Sequence, residues 1–177
     1  MRAKNVEFEV TYISKESKPD WFLELSPHGK VPVLKVNNDA LFESNAISEF
    51  LDEVVEPQLA PKDPIERARN RAWTDFTGGW AGALNRVSYA KTREEHASAV
   101  DALPITLTKI ENALGQRKNN GPYFNDDKLC LVDAAYAPFL MRFNIVENIN
   151  PTGILMSFPR IKAWSDALLD NEAVVGS

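Results

Sequence analysis

The chain has 177 residues, 44% hydrophobic and 25% charged, which suits one sizeable globular core or two small ones. Its net charge of −5, with acids and bases interspersed and no basic block, argues against nucleic acid as a partner. No apolar run is long enough to span a bilayer, and the N-terminus lacks the apolar segment of a signal peptide. The single cysteine excludes an intrachain disulfide framework. We therefore expect a reducing, cytoplasmic setting and no membrane partner.

Apolar and polar residues alternate from residue 5 to residue 13, which predicts a β-strand. Its apolar residues would share one face: Val6, Phe8, Val10 and Tyr12. A short helix is predicted from Asp20 to Leu25, and a loop follows as far as Gly29.

The next segment predicts a β-hairpin made of Val33–Val36 and Ala40–Phe42, joined by the turn-forming residues 37–39. Pro32 precedes the first strand and has no N–H for a ladder, and it holds Val31 in an extended conformation. The N–H and C=O of Val31 are thus expected to point outward. The bond before a proline in such a turn is also a candidate for the cis form.

Ser44 is predicted to cap an amphipathic helix that ends near residues 56–57. Because free N–H groups at a helix start attract a carboxylate, this end is an expected anion site. Together with the outward edge of Val31, it predicts a site for a small, extended, acidic peptide.

Residues 58–62 read as a linker, and the domain boundary is placed there. Asp63 is the expected cap of a long helix, with Pro64 at its first position and Glu66 three residues after the cap. Gly78 and Gly79 fall inside this helix, where each costs about 1 kcal/mol relative to alanine. Close packing, a kink or an opening beside a ligand would each explain them.

Three further features complete the helical half. Thr92 to Glu95 is a capping box that starts a helix running to Leu114, with a kink at Pro104. Residues 119–122 predict a turn, and a helix is expected from Leu131 to about Val146. The last predicted helix opens at residues 158–161.

The sequence Lys30-Val31-Pro32-Val33-Leu34 with Glu43-Ser44 resembles the glutathione-binding half of the soluble glutathione transferases. Residues 20–29 resemble the helix and loop that approach that strand in the family. Leu131-Val132-Asp133-Ala134-Ala135 resembles the start of its central helix, although Cys130 stands where most members carry Ser or Thr. The resemblance covers nearly the whole chain. It implies a truncated thioredoxin-like α/β half, residues 1–57, and an all-α half, residues 63–177.

The family's first strand and most of its first helix would precede Met1, so the resemblance implies that this part is missing from the sequence. The Tyr, Ser or Cys that activates glutathione in the family lies in that segment, and we expect no residue of this chain at the catalytic position. A sheet that lacks a central strand exposes unpaired edge groups, which favours association. We expect either compensation by another chain or a poorly ordered N-terminal half.

The function that the resemblance implies is glutathione transferase, with glutathione as co-substrate and an apolar electrophile as second substrate. The enzyme would lower the pKa of the glutathione thiol and present the thiolate to the electrophile. Two alternatives stay open: a non-catalytic binding or assembly module of the same fold, and a glutathione-dependent thiol-disulfide reductase if the missing segment carries a cysteine.

The resemblance also implies a role for each site residue. The backbone of Val31, before Pro32, would pair with the cysteinyl unit of glutathione. Ser44 would bind the γ-glutamyl carboxylate, Glu43 would face the γ-glutamyl ammonium, and Lys30 would face the glycyl carboxylate. The structural alternatives are an edge strand ended by proline, simple helix capping and a solvated lysine.

In the helical half, Trp80 is the candidate for the electrophile pocket, although its spacing also suits a core residue. Asp75 is the candidate for a glutathione contact across the interface of a homodimer, which the resemblance implies. Cys130 is interpreted as a buried small residue, not as a nucleophile. His28 and His96 form no metal-binding pattern, so no metal is expected.

Overall fold

The computed structural model describes residues 1–117 and 120–176. The chain forms two compact units, Met1–Gln58 and Leu59–Ser177. The first unit contains, in order, α1 (Asp20–Leu25), β1 (Val33–Val36), β2 (Asp39–Phe42) and α2 (Ser44–Val54). The second contains α3 (Pro64–Ser88), α4 (Arg93–Gly115), α5 (Leu131–Ile149), α6 (Pro159–Leu169) and α7 (Glu172–Val175). Across the described ranges, no helix combines the length and hydropathy needed to cross a membrane.

The predicted hairpin is confirmed. Strands β1 and β2 are antiparallel, with Val33 opposite Phe42 and Val36 opposite Asp39. The turn between them includes Asn37 at φ 56°, a left-handed conformation that asparagine adopts more readily than most residues. This short hairpin packs against helix α2.

The predicted strand over residues 5–13 is wrong. In the described residues the only sheet is the two-stranded one, and from Glu7 to Ile13 no backbone group makes a hydrogen bond. The apolar residues of the segment face solvent, with Tyr12 91% exposed and Val10 55% exposed. Alternation makes a strand favourable only where a neighbouring strand supplies backbone partners, and none lies beside this segment.

A buried ion pair ties the start of the first unit to the end of helix α2. Lys4 Nζ lies 2.9 Å from Asp52 Oδ1, and both side chains are almost fully buried. The same ammonium donates to the carbonyl oxygens of Val55 at 2.5 Å and Pro57 at 2.7 Å. A cation at this place complements the partial negative charge of a helix C-terminus and pairs with two carbonyls of the segment that follows the helix.

The long helices begin where the sequence predicts. Asp63 Oδ1 accepts from the N–H groups of Ile65 at 3.0 Å and Glu66 at 2.9 Å. Thr92 Oγ1 accepts from Glu95 N at 3.1 Å. These caps pair N–H groups that a helix cannot pair by itself.

Helices α3, α4, α5 and α6 enclose the core of the second unit. Its largest fully buried side chains include Trp80, Tyr136, Phe143 and Trp164. Gly78 contributes no close packing, because a Cβ added there meets no heavy atom within 4 Å. Close packing is therefore not the reason for this glycine.

Two details of the second unit differ from the sequence prediction. The central helix runs on to Ile149, and α7, capped by the side chain of Asn171, was not predicted. The turn predicted over residues 119–122 lies partly outside the described residues, because Asn119 is not among them.

Candidate functional site

The register of the hairpin brings two sequence-predicted site residues to the same end of the sheet. Val33 pairs with Phe42, and each following pair lies one residue later in β1 and one residue earlier in β2. Val31 and Ser44 each lie two residues beyond the ladder, at the end where Val33 pairs with Phe42. The ladder ends before them because Pro32 has no N–H to donate and Glu43 turns the chain into α2.

The backbone of Val31 is open to solvent. Its residue surface is 66% exposed, and no hydrogen bond to its N–H or C=O occurs among the described residues. The Val31–Pro32 peptide bond is cis, in agreement with the sequence interpretation. A residue with unpaired backbone groups before a strand can accept an extended chain as a partner.

A serine that the sequence analysis did not single out holds the loop before Val31. Ser26 is buried, its Oγ donates to Lys30 O at 2.9 Å, and Lys30 N donates back to the same Oγ at 2.9 Å. Gly29 closes the loop in a left-handed conformation, with its N–H bonded to Ser26 O at 2.9 Å. The signal in the sequence is a serine in a Pro- and Gly-containing loop, which is too common to be diagnostic.

The sequence predicted that Ser44 caps helix α2, and this prediction is wrong. The helix begins at Ser44 itself, and the capping position belongs to Glu43, whose side chain makes no capping hydrogen bond. Glu43 holds φ 67° and ψ 116°, a conformation rare for a residue with a side chain. Consequently the N–H and hydroxyl of Ser44 have no partner among the described residues and remain open to solvent.

The two charged residues of the candidate site, Lys30 and Glu43, are both exposed. His28 lies close by, and its ring meets the edge of Phe42 with the centroids 5.6 Å apart. The site thus offers an open strand edge, a free helix start and one charge of each sign. Such a set can hold a short zwitterionic chain in an extended conformation.

The candidates in the second unit occupy different surroundings. Trp80 is 0% exposed and packs against Tyr136, with ring centroids 5.4 Å apart. An electrophile would have to displace this side chain from the core to touch it. Asp75 is exposed on α3 and is free to meet another molecule. Both roles remain predictions.

Cys130 is buried at the start of α5, in agreement with its interpretation as a small core residue. Burial raises the pKa of its thiol well above the usual range, and the carboxylate of Asp133 raises it further. The thiol is therefore neutral near pH 7. Within residues 1–117 and 120–176, no group of three or more His, Cys, Asp or Glu side chains is arranged to hold a metal ion.

Comparison with known proteins gives a consistent result over both units. Residues 1–54 match the glutathione S-transferase N-terminal domain, and residues 74–175 match the glutathione S-transferase C-terminal domain. Glutathione S-transferase U19 of Arabidopsis thaliana is 32% identical over 181 residues, which cover 100% of this chain and 80% of that protein.

Two solved structures have the same fold. The Tau class glutathione S-transferase of mango, Mangifera indica, superposes with a TM-score of 0.85 at 26% sequence identity. The match covers 99% of this chain and 85% of the mango chain. Rice GST1 in complex with glutathione gives a TM-score of 0.83 at 25% sequence identity, and the match covers 99% of this chain and 82% of the rice chain. The chain therefore belongs to the glutathione S-transferase family. The predicted fold class and the prediction of a glutathione transferase are confirmed at this level.

Proposed function

We propose that this glutathione transferase binds glutathione at the open end of the β1–β2 hairpin. The observation that carries the proposal is that the unpaired backbone of Val31 and the free helix start at Ser44 both lie two residues beyond the same end of the hairpin ladder. Glutathione is a short, extended peptide with two carboxylates and one ammonium. Its backbone matches a strand edge, and its carboxylates match N–H groups at a helix start.

Each residue then has one role. The N–H and C=O of Val31, directed by Pro32, pair antiparallel with the cysteinyl unit. The N–H and hydroxyl of Ser44 bind the γ-glutamyl carboxylate, and Glu43 faces the γ-glutamyl ammonium. Lys30 supplies a positive charge for the glycyl carboxylate. Ser26 acts as a positioning residue, because its hydroxyl fixes both backbone groups of Lys30.

The chemistry proposed is conjugation of the glutathione thiolate to an apolar electrophile. Binding at Val31 orients the cysteinyl unit, and the reaction requires that the thiol lose its proton. We assign no residue of this chain to the deprotonation of the thiol. Cys130 is buried and stands at the N-cap position of helix α5. The proposed role is detoxification in the cytoplasm. The proposed assembly is a homodimer in which Asp75 reaches the γ-glutamyl group of the partner's glutathione.

The test combines calorimetric titration with glutathione and conjugation of chlorodinitrobenzene. Ser44→Ala should weaken glutathione binding by about 1.5–3 kcal/mol, roughly ten- to a hundred-fold, because a charge-assisted hydrogen bond is lost. Ser48→Ala, one turn along the same helix, is the matched control and should bind as the parent does. Undiminished binding by Ser44→Ala, or equal losses in both variants, would remove Ser44 from the site.

The same experiment, together with an assay for reduction of a mixed disulfide of glutathione, separates the transferase from the two other possibilities. Retention of glutathione with no conjugation of chlorodinitrobenzene indicates a binding or assembly module. Reduction of a mixed disulfide of glutathione in place of conjugation indicates a thiol-disulfide reductase. Conjugation that falls in parallel with glutathione affinity in Ser44→Ala supports the transferase.

A further inference from the structure

Asn120 lies in the loop between α4 and α5, and among the asparagines of the sequence it alone is followed by a glycine. Its side chain is exposed and makes no hydrogen bond to the described part of the chain. Asparagine is thermolabile, because its side-chain amide can react with the next backbone nitrogen. A side chain on the next residue hinders that reaction, and Gly121 has none. The amide of Asn120 is therefore the most susceptible in the sequence.

The fold requires a glycine at position 121. Gly121 is buried, and a Cβ added to it would lie 2.3 Å from the backbone carbon of Asp126 and 2.7 Å from the backbone nitrogen of Asp127. The atoms in the way belong to the main chain, which cannot rotate aside as a side chain would. The packing that excludes a Cβ at this place thus leaves the amide of Asn120 without steric protection.

The main chain that follows Asn120 is bonded to the end of helix α4 through one arginine. Arg117 Nη1 donates to Gly121 O at 2.6 Å and to Tyr123 O at 2.7 Å. Arg117 Nε donates to Leu114 O, in the last turn of α4, at 3.0 Å. A change in the length of the main chain between Asn120 and Gly121 would disturb these contacts.

The same loop continues into the start of α5. Phe124 N donates to Asp133 Oδ1 at 2.8 Å, and Cys130 N donates to Asp133 Oδ2 at 2.7 Å. Cys130 is buried where the loop meets the helix. Its thiol therefore reports whether this junction stays closed.

We propose that Asn120 is a site of spontaneous deamidation, and that the isoaspartate formed there loosens the loop that holds the start of α5. The backbone nitrogen of Gly121 attacks the side-chain carbonyl carbon of Asn120. The bond from that carbon to the amide nitrogen breaks, the proton of the attacking nitrogen leaves with the departing ammonia, and a succinimide ring remains. Water, the only co-reactant, then opens the ring at either carbonyl. One opening gives aspartate, and the other gives isoaspartate, in which the side-chain CH2 is part of the main chain.

The two products differ in their effect on the loop. Both carry a carboxylate in place of a neutral amide, but only isoaspartate adds a carbon to the main chain before Gly121. Because Gly121 is packed against the main chain of Asp126, the added carbon should pull its carbonyl away from Arg117. The site lies in the second unit and does not depend on the proposed glutathione site.

Ageing of the full-length protein at pH 8, followed by peptide mapping with mass spectrometry, tests the modification. Asn120 should convert at least ten-fold faster than Asn38, which is exposed in the hairpin turn but is followed by Asp39. A methyltransferase specific for isoaspartate should label the aged parent and not the aged Asn120→Gln variant, because glutamine would have to close a larger ring. Conversion at Asn120 no faster than at Asn38 would overturn the proposal.

Alkylation of Cys130 with iodoacetamide tests the effect on the loop. The isoaspartate fraction of the aged parent should react about five-fold faster than fresh protein, whereas aged Asn120→Gln should react as fresh protein does. Fresh Asn120→Asp carries the new charge without the extra main-chain carbon, and it should also react slowly. Unchanged reactivity of Cys130 in the isoaspartate fraction, or equally fast reaction of Asn120→Asp, would overturn the proposed loosening.

Discussion

The indole Nε1 of Trp164 on α6 donates a hydrogen bond to Oδ1 of Asp133 on α5 at a distance of 2.6 Å. The same carboxylate accepts from Phe124 N at 2.8 Å and from Cys130 N at 2.7 Å. Asp133 and Trp164 are both 0% exposed. One buried carboxylate thus joins a loop and two helices at the centre of the second unit.

Replacing Asp133 by alanine should lower the free energy of unfolding by about 3–5 kcal/mol, because three buried donors lose their acceptor at once. Urea unfolding followed by tryptophan fluorescence measures the change. Asp166→Ala is the control, since its pair with Lys162 is half exposed and should contribute no more than about 0.5 kcal/mol. Similar losses in the two variants would contradict the central position given to Asp133.

The stability that Asp133 contributes should depend on pH with a defined sign. Burial raises the pKa of Asp133 above 3.8, although its three N–H partners oppose the shift. A carboxyl group with a raised pKa in the folded state holds its proton more tightly there than in the unfolded chain. Its contribution to stability is therefore present below pH 3.8 and is lost as pH rises through the folded pKa. Relative to Asp133→Asn, the parent should gain stability as the pH falls through the raised pKa of Asp133 towards 3.8, and a loss of stability over that fall would reverse the assigned shift.

Cys130 should be inert to iodoacetamide in the native protein at pH 8, because burial raises the pKa of its thiol and excludes the reagent. Alkylation, followed by intact mass, should appear only as urea unfolds the chain. A Lys128→Cys variant provides an exposed thiol that should react within the same period. Rapid modification of the parent in buffer would show that the start of α5 opens readily.

Two glycines should respond in opposite directions to substitution by alanine. Gly78→Ala should stabilise the protein by about 0.5–1 kcal/mol, because the added methyl meets nothing and alanine favours a helix. Gly121→Ala should destabilise it, because its Cβ would lie 2.3 Å from the backbone carbon of Asp126. Thermal unfolding measures both. Loss of stability in Gly78→Ala would indicate that this face of α3 contacts another molecule.

Removing one partner of the buried pair between Lys4 and Asp52 should be costly. Lys4→Met should destabilise the first unit by about 3–5 kcal/mol, because a buried carboxylate loses its cation and two carbonyls lose their donor. Adding Asp52→Asn to that variant should recover part of the loss. Hydrogen exchange of α2 amides reports the effect locally, and unchanged protection in Lys4→Met would mean that the pair is dispensable.

Local signals in the sequence were sufficient for much of this fold. The hairpin follows from alternation and from Asn37 in the turn, and the starts of α3 and α4 follow from Asp63 and Thr92. The resemblance to glutathione transferases rested on residues close together in the chain. In all these cases a residue and its partner lie within a few positions, so that the sequence displays both.

Tertiary structure decided the remainder, because it depends on partners far apart in the chain. The alternating residues 5–13 form no strand, since no strand of the described chain pairs with them, and the helix expected to be capped by Ser44 begins at that residue instead. Neither the bond from Trp164 to Asp133 nor the ion pair of Lys4 and Asp52 has a sequence pattern. Composition and spacing thus predicted the hairpin and the long helices, and they indicated residues for a peptide site that stays a prediction. Only folding decided which backbone groups stay unpaired and which charges are buried, because both depend on what the rest of the chain covers.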